Sequence, residues 1–414
     1  MGRSFLKDAS AGKQTLISHP PSHGRIPEVD VLRGFALFGV FLVNLFAFGG
    51  DASAWSAPID QIAWTLKHLF FESKFWGLFS LLFGISCWLQ WRDNLSWLTA
   101  VRRFLVLFIF GIGNALLFEG DILMLYAELG LLLLILHRLP ARWLLAMALA
   151  LFLVFPTAHT LYPDRGEPDY PKDPVEAGLW LEEDREEGVY AADTLVEIIA
   201  WHAEALPEVP WADYQWPDSG LMVLAMFLLG FVMARTGWLE RCLEKDSGAG
   251  QLAIRCWCVG LLLMAGERWL SFTQGYRAFG EAVPTPAVQL TGDLVFAVAT
   301  LALVIAWFLS VLSLAHRFAR LRIVKAMGAV GKMSLTMYLL QTLVMVVIFY
   351  SSGLGFAYAL GPAELIPIAV VVYVLQMWLA SQWFCYFQVG PMEWLWRWGS
   401  DGHRRPLWAV PPPG

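Results

Sequence analysis

Charged side chains are scarce in this sequence, and their scarcity excludes most classes of soluble protein. Only 15% of the 414 residues are Asp, Glu, Lys or Arg, whereas 57% are hydrophobic and the mean hydropathy is +0.55. The 21 Trp residues exceed what a soluble core needs, and Trp is typical of membrane interfaces. This composition predicts one all-α, polytopic membrane bundle with a lipid bilayer as its partner. We expect no nucleic-acid partner.

Several chemical motifs are also missing. The sequence contains no nucleotide-binding loop, Rossmann glycine motif, nucleophile elbow or zinc-ligand cluster. Gly331-Lys332 lacks the earlier glycine that a phosphate-binding loop requires. Residues 1–27 have no apolar core, so we expect a solvated cytoplasmic arm without a cleavable signal, and the first span directs insertion. We therefore expect no metal and no permanently bound cofactor.

Long apolar runs are what the chain does contain. Lipid offers backbone amides no partners, so such runs cross a membrane as helices. The first run begins at Asp30 and Arg33, which are three residues apart and share a helix face, and it contains Asn44 as its only strongly polar side chain. Ten spans are predicted, near residues 31–50, 66–91, 102–118, 121–137, 141–160, 218–234, 251–272, 288–314, 331–352 and 363–387.

Lys and Arg predict how these spans are oriented. With the amino terminus inside, 22 of the 29 Lys and Arg residues fall in inner segments, 6 fall in outer segments and Lys74 lies within a span. The positive-inside rule then places both termini in the cytoplasm. The predicted regions are the arm 1–27, a five-helix half 28–160, a periplasmic loop 161–216, a second five-helix half 217–390 and a cytoplasmic tail 391–414.

The cysteines agree with this orientation. All five fall at cytoplasmic helix ends or in a cytoplasmic loop, so no disulfide is expected. The pair Cys256 and Cys258 lacks metal-ligand spacing.

The predicted outer loop carries most of the negative charge. Residues 161–216 hold 15 Asp and Glu against 3 Lys and Arg, whereas the rest of the chain is positive by 6. Two short helices are expected in this loop. In the second, Leu195, Ile198, Ile199 and Leu206 repeat at helical spacing, which predicts a helix that lies against the bundle or the membrane surface.

Polar side chains within the spans are concentrated on one side of the membrane. Ionisable groups inside spans mark functional sites by default, although charges at helix ends are also tolerated. We infer a water-accessible outward cavity, lined chiefly by the first four helices. Its expected lining includes Asn44, Lys74, Asn114, Asp121 and Glu128, with Glu267, Arg268 and Asp293 on the same side. Asp121 and Glu128 are seven residues apart at the start of the fourth predicted helix, which would place them on one helix face.

His68 and Glu72 are the candidate catalytic pair of this cavity. They are four residues apart and share a helix face, so the carboxylate can orient the imidazole while the imidazole takes a proton from a hydroxyl group. Asn44 or Asn114 could donate to a developing oxyanion. A purely structural pair at a helix end, and an Asn44 that only joins two helices, stay open as alternatives.

Five blocks of sequence resemble one bacterial family. Residues 29–44 (V-D-V-L-R-G-F-A-L-F-G-V-F-L-V-N), 71–84 (F-E-S-K-F-W-G-L-F-S-L-L-F-G) and 119–130 (E-G-D-I-L-M-L-Y-A-E-L-G) look like the YeiB-like family of multispanning membrane proteins. Residues 331–342 (G-K-M-S-L-T-M-Y-L-L-Q-T) and 389–397 (V-G-P-M-E-W-L-W-R) resemble that family's C-terminal domain of unknown function. The resemblance implies a location in the bacterial inner membrane.

The first of these blocks is also similar to the first helix of the heparan-glucosaminide acetyltransferases. That resemblance implies acyl transfer from cytosolic acyl-CoA to a glycan on the far side of the membrane. Many relatives have His before the third block, where this chain has Asn114. The resemblance maps motif positions onto Asp30, Arg33, Asn44, Glu72, Lys74, Asp121 and Gln341.

Two functions follow as alternatives. In the first, a membrane-bound O- or N-acyltransferase receives acyl-CoA as donor substrate at Arg92, Arg102 and Arg103, while a small-molecule or glycan acceptor enters the outer cavity. The second is a transporter or exporter of a small solute, with proton or cation coupling at Glu72, Asp121 and Glu128. The absence of a convincing internal repeat favours the first. A homo-oligomer is compatible with either function.

Overall fold

A computed structural model of the chain describes residues 26–49, 55–92, 96–161, 194–206, 220–244, 247–274, 285–402 and 407. Helices account for nearly all of the ordered backbone in these ranges, as the apolar runs predicted. The helices are α1 (Pro27–Phe46), α2 (Pro58–Leu66), a π-helical segment (Lys67–Phe71), α3 (Lys74–Trp91), α4 (Trp97–Ala115), α5 (Leu123–Leu136), α6 (Ala141–Leu161), α7 (Leu195–Ala205), α8 (Gly220–Arg235), α9 (Trp238–Leu243), α10 (Ala249–Gln274), α11 (Pro286–Arg317), α12 (Arg322–Lys332), α13 (Ser334–Phe349), α14 (Pro362–Tyr386) and α15 (Pro391–Asp401).

The apolar helices make this a multispanning helical membrane protein. In the described ranges, six helices are long and apolar enough to cross a membrane, or seven if the bent pair α12–α13 counts as one span. The shorter apolar helices α5, α6 and α8 occupy the other predicted positions. Helices therefore stand where all ten were predicted, whereas the number that cross the bilayer stays a prediction.

Two of the predicted continuous helices are broken, which corrects the sequence analysis. The predicted helix 66–91 is divided at Glu72 and Ser73, where Ser73 has a φ of 61° in the left-handed region. The predicted helix 331–352 is divided at Met333, and α12 meets α13 at 88°. Neither break contains Gly or Pro, so hydropathy alone could not locate it.

Contacts between helix ends define two ends of the bundle. At the end where α1 begins, Arg33 donates to Ser86 Oγ at 2.5 Å, and Arg235, at the end of α8, donates to the carbonyl of His137 at 3.0 Å. We call this the basic end. At the opposite end, which we call the far end, Asp60 of α2 accepts from the backbone amide of Ala363 at 2.9 Å.

Glycine permits a close helix crossing in the core. α3 and α8 cross where Gly84 and Gly230 meet, and a Cβ atom on either residue would clash with a backbone carbonyl of the other helix. The helices therefore pack backbone to backbone, which is how small residues join membrane helices that lipid would otherwise solvate equally well.

A carboxylate at the basic end caps the broken span. Glu393 of α15 accepts from the amides of Leu335 at 2.7 Å and Thr336 at 3.2 Å, and from the Thr336 hydroxyl at 2.6 Å. The first amides of α13 have no partners within their own helix, and a carboxylate there also complements the helix dipole. The C-terminal helix α15 therefore stabilises the start of α13.

The amphipathic helix predicted at Leu195, Ile198, Ile199 and Leu206 is present as α7, and it lies against the bundle. Thr194 and Glu197 form a capping box at its start. Ile198 is fully buried among apolar side chains at the far end, including Phe48 and Phe118. His202 Nδ1 lies 3.2 Å from the carbonyl oxygen of Leu116. The rest of the predicted acidic loop and the arm 1–25 lie outside the described residues.

We expect the docking of α7 to weaken in acid. Burial lowers the pKa of His202 below its usual value of 6.5, because the protonated ring would be a cation with little water around it. Neutral His202 therefore stabilises the docked state. That stabilisation is lost as the pH falls below 6.5 towards the lower pKa of the docked histidine. Hydrogen exchange of residues 194–206 should therefore accelerate below that pH.

The matched variant is His202→Gln, which keeps a side-chain donor for Leu116 and cannot titrate. Its exchange at residues 194–206 should be independent of pH once the intrinsic chemical rate is removed. An equally strong acid response in this variant would assign the effect to another group, such as Glu119, whose pKa is raised by burial.

Candidate functional site

Five charged or titratable side chains meet at the far end of the bundle. Lys67, His68, Glu72 and Lys74 come from the broken span, and Glu267 comes from the last turns of α10. We call this set the far-end cluster. It joins the two predicted halves of the chain. A water-accessible cavity lined chiefly by the first four helices stays a prediction.

The break in the α2–α3 span presents these side chains. The π-helical bond from Glu72 N to Lys67 O is 2.9 Å long, and the left-handed Ser73 then redirects the chain into α3. The indole of Trp307, on α11, donates to the carbonyl of Phe70 at 3.1 Å. Short π-helical segments are frequent at functional sites, where they reposition side chains that a regular helix would place elsewhere.

His68 lies between two carboxylates. Its Nδ1 is 3.0 Å from Glu72 Oε2, which confirms that the two side chains reach each other. Its Nε2 is 3.7 Å from Glu267 Oε2, beyond hydrogen-bond distance. Within the described residues this Nε2 is buried and has no hydrogen-bond partner. One ring nitrogen is therefore held in place, while the other keeps its hydrogen-bonding capacity unused within the described residues.

Lys74 is the most deeply buried charge in the cluster. Its relative exposure is 0%, and its ammonium group donates to the backbone carbonyl of His68 at 2.7 Å. The carboxylates of Glu72 and Glu267 attract the ammonium. Lys67, only 8% exposed, lies 3.3 Å from Glu72 Oε1. Two lysines thus offset two carboxylates around His68.

The edge of the cluster is formed by α11. Asp293 is fully buried and accepts from Gln289 Nε2 at 3.3 Å. The ammonium of Lys74 lies 5.4 Å from the centre of the Phe296 ring, close enough for a cation–π interaction. Glu72 keeps 36% of its side chain exposed, so the cluster reaches the surface on that side.

Asn114 and Asp121 belong to a different set of contacts. Asn114 donates to Asp121 Oδ1 at 2.8 Å, and Asp121 Oδ2 accepts from the amides of Leu123 and Met124 at 2.9 and 3.0 Å. Asp121 therefore caps α5 from outside the helix, which corrects the prediction that it shares a helical face with Glu128. Tyr338 of α13 contributes its hydroxyl to the same turn, accepting from Ile122 N at 3.3 Å.

Gln341 pairs with a residue that the sequence analysis missed. Its Nε2 donates to Gln376 Oε1 at 2.9 Å, and Gln376 Nε2 donates to the carbonyl of Met337 at 3.1 Å. Both glutamines are buried, so this amide pair joins α13 to α14. In the sequence, Gln376 is a single amide inside an apolar run. No neighbouring residue indicates whether its side chain faces the bundle or its surface.

The remaining predicted site residues lie elsewhere. Asp30 and Arg33 pair at 3.1 Å at the basic end, as their spacing predicted. Asn44 is half-buried near the far end of α1, and Glu128 is half-buried in α5.

The three arginines considered for acyl-CoA are at the basic end. Arg92 and Arg102 are exposed. Arg103 is engaged by Gln90 at 2.8 Å and Asp401 at 3.2 Å, so it fixes α15 to the bundle rather than offering a free cation.

Comparisons with known proteins identify relatives over nearly the whole chain. Residues 233–403 match the family described as "Protein of unknown function (DUF418)". "Uncharacterized protein YxaH" of Bacillus subtilis (strain 168) is 27% identical over 404 residues, covering 90% of this chain and 93% of that protein. "Uncharacterized protein YeiB" of Escherichia coli (strain K12) is 28% identical over 407 residues, covering 89% and 94%.

Similarity is higher over a shorter stretch. An "Uncharacterized 39.9 kDa protein in amylase 3'region" of Bacillus acidopullulyticus is 35% identical over 120 residues, which cover 28% of this chain and 35% of that protein. No solved structure matches the chain. The near-complete alignments and the DUF418 match over both predicted C-terminal blocks support the predicted resemblance to the YeiB-like family.

Proposed function

We propose that the far-end cluster transfers an acyl group from cytosolic acyl-CoA to an acceptor on the outer side of the membrane. The observation that carries the proposal is His68, whose Nδ1 is held by Glu72 at 3.0 Å while its buried Nε2 has no hydrogen-bond partner among the described residues. This is the arrangement of a general base with its orienting carboxylate.

The bond changes follow from that geometry. A hydroxyl or amino group of the acceptor gives its proton to His68 Nε2 as its oxygen or nitrogen attacks the thioester carbonyl. The new bond to the acyl carbon forms, the carbon–sulfur bond breaks, and the leaving thiolate takes the proton from His68, which restores the neutral ring. Glu72 stabilises the imidazolium, and buried Lys74 places a positive charge beside the negative charge that develops on the carbonyl oxygen.

Transport of a small solute is the second candidate, and the two helix breaks favour it. One interruption lies in each half, at Glu72–Ser73 and at Met333. Discontinuous helices often line solute and ion sites in transporters, and the far-end cluster contains groups that could carry protons.

One assay separates the two. Purified protein with acetyl-CoA and a panel of glycan acceptors should release free CoA thiol, and acetyl-CoA should raise the melting temperature. If no thiol appears and the melting temperature does not change, acyl transfer is rejected. Solute-dependent proton flux into proteoliposomes would then support transport.

The proposal also requires an orientation, with ten spans, both termini in the cytoplasm and the far end outside. The bias of 22 inner against 6 outer Lys and Arg residues supports it. A single cysteine introduced as Ala192→Cys should react with a membrane-impermeant reagent in intact cells, relative to the parent chain. If labelling requires cell lysis, the orientation is the opposite of the one proposed, and His68 faces the cytoplasm.

A further inference from the structure

A second charged surface lies at the basic end, away from the far-end cluster. We call residues 316–325, which join α11 to α12, the basic ledge. Its apolar side chains are exposed, with Phe318 40%, Leu321 50% and Ile323 57% accessible. Between them stand four exposed cations: Arg317, Arg320, Arg322 and Lys325.

The ledge is held rigidly in a particular direction. Helix α12 meets α13 at 88°, so it lies across the axis of the helix that follows it. Its opposite face is buried against α1, and a Cβ at Gly331 would clash with the carbonyl of Asp30. Because one face of α12 packs on the bundle, its other face, which carries the exposed Ile323 and Lys325, points away from the bundle.

Few negative charges face this surface. The sequence has no Asp or Glu between Asp293 and Glu364. On α1, Glu28 lies 3.0 Å from His316, and Asp30 pairs with Arg33. On α14, which also packs against α12, Glu364 stands in the first turn, at the far end. Within the described residues no carboxylate forms an ion pair with the four cations of the ledge, so they are available to an external anion.

We propose that the basic ledge binds the head groups of anionic phospholipids in the leaflet at the basic end. Alternating basic and apolar side chains on an element that lies across a span suit the membrane interface, where guanidinium groups contact phosphate and apolar side chains enter the acyl boundary. Clusters of basic residues beside a span bind anionic lipid in the same way. This interaction does not depend on acyl transfer or transport.

The experiment uses the full chain, purified in a non-ionic detergent. Phosphatidylglycerol is titrated into the micelles as an increasing mole fraction, and the melting temperature is followed, with phosphatidylcholine as the neutral lipid. The melting temperature should rise with phosphatidylglycerol alone. In the triple variant Arg320→Gln/Arg322→Gln/Lys325→Gln, the half-saturating mole fraction of phosphatidylglycerol should increase by about tenfold or more. Each basic residue near an anionic surface adds to the free energy of binding, and the variant removes three.

The matched control removes three exposed arginines of the same end, as Arg138→Gln/Arg142→Gln/Arg255→Gln, and should keep the wild-type midpoint. Equal midpoints for the two triple variants would overturn the proposal, as would equal shifts with both lipids. Competition by free glycerol phosphate would also overturn it, because it would indicate a small-anion site. If the first variant does not fold, Ile323→Asn tests the apolar contact and should weaken the response to phosphatidylglycerol.

Discussion

Replacing His68 with alanine should lower the rate of CoA release by about 10² to 10⁴, the usual contribution of a general base. Glu72→Gln should have an effect of similar size, because an amide does not stabilise the imidazolium and can favour the wrong tautomer. The two groups lie 3.0 Å apart and would act as a unit, so the double variant should be hardly slower than either single variant. Steady-state turnover with excess acetyl-CoA and acceptor measures all three.

The control for this series is His316→Ala, a 59% exposed histidine at the opposite end of the bundle. It should keep wild-type turnover, and turnover of every variant is compared per mole of folded protein. Multiplicative losses in the double variant would show that His68 and Glu72 act independently. A mild effect of His68→Ala, with proton coupling abolished by Glu72→Gln, is the pattern expected of a transporter.

The sequence was sufficient to place the helices because hydropathy and helix length are local properties. The predicted span 288–314 compares with Pro286–Arg317, and the predicted span 363–387 with Pro362–Tyr386. The pairs Asp30–Arg33 and His68–Glu72 were also predictable, because residues three or four apart on a helix are neighbours whatever the tertiary fold.

The helix breaks and the partners across the bundle could not be predicted in this way. A π-helical segment and a left-handed Ser73 depend on contacts such as the bond from Trp307 to the carbonyl of Phe70, which joins residues 237 positions apart. Glu267 was recognised as a polar group at the outer side, but its approach to His68 depends on how α10 packs against the broken span. Gln376 could not be identified as the partner of Gln341 for the same reason.

Asp121 shows how a local rule can mislead. Its position seven residues before Glu128 suggested one helical face, yet α5 begins only at Leu123. A carboxylate just outside a helix accepts from the free amides of the first turn, and that local stabilisation competes with continued helix. Its match to a family motif is thus compatible with a structural role.

Lys74→Met should be the most destabilising single substitution in the far-end cluster. Lys74 is completely buried, and its charge offsets those of Glu72 and the 1% exposed Glu267. Removing one partner of a buried ionic group leaves a charge that neither water nor protein compensates, which typically costs about 3–5 kcal/mol. We expect a loss of this order in the free energy of unfolding, measured by denaturant titration in mixed micelles, reduced to the extent that Lys67 remains to balance the carboxylates.

Restoring charge balance should recover much of that loss. In Lys74→Met/Glu267→Gln, a buried cation and a buried anion are removed together, so the two effects should be non-additive by about 1–3 kcal/mol in the stabilising direction. The exposed Lys332→Met provides the control and should change the free energy of unfolding by no more than about 0.5 kcal/mol. Additive losses in the double variant would mean that Lys74 and Glu267 do not interact. The far-end cluster would then be a set of separate interfacial charges rather than one buried ionic network.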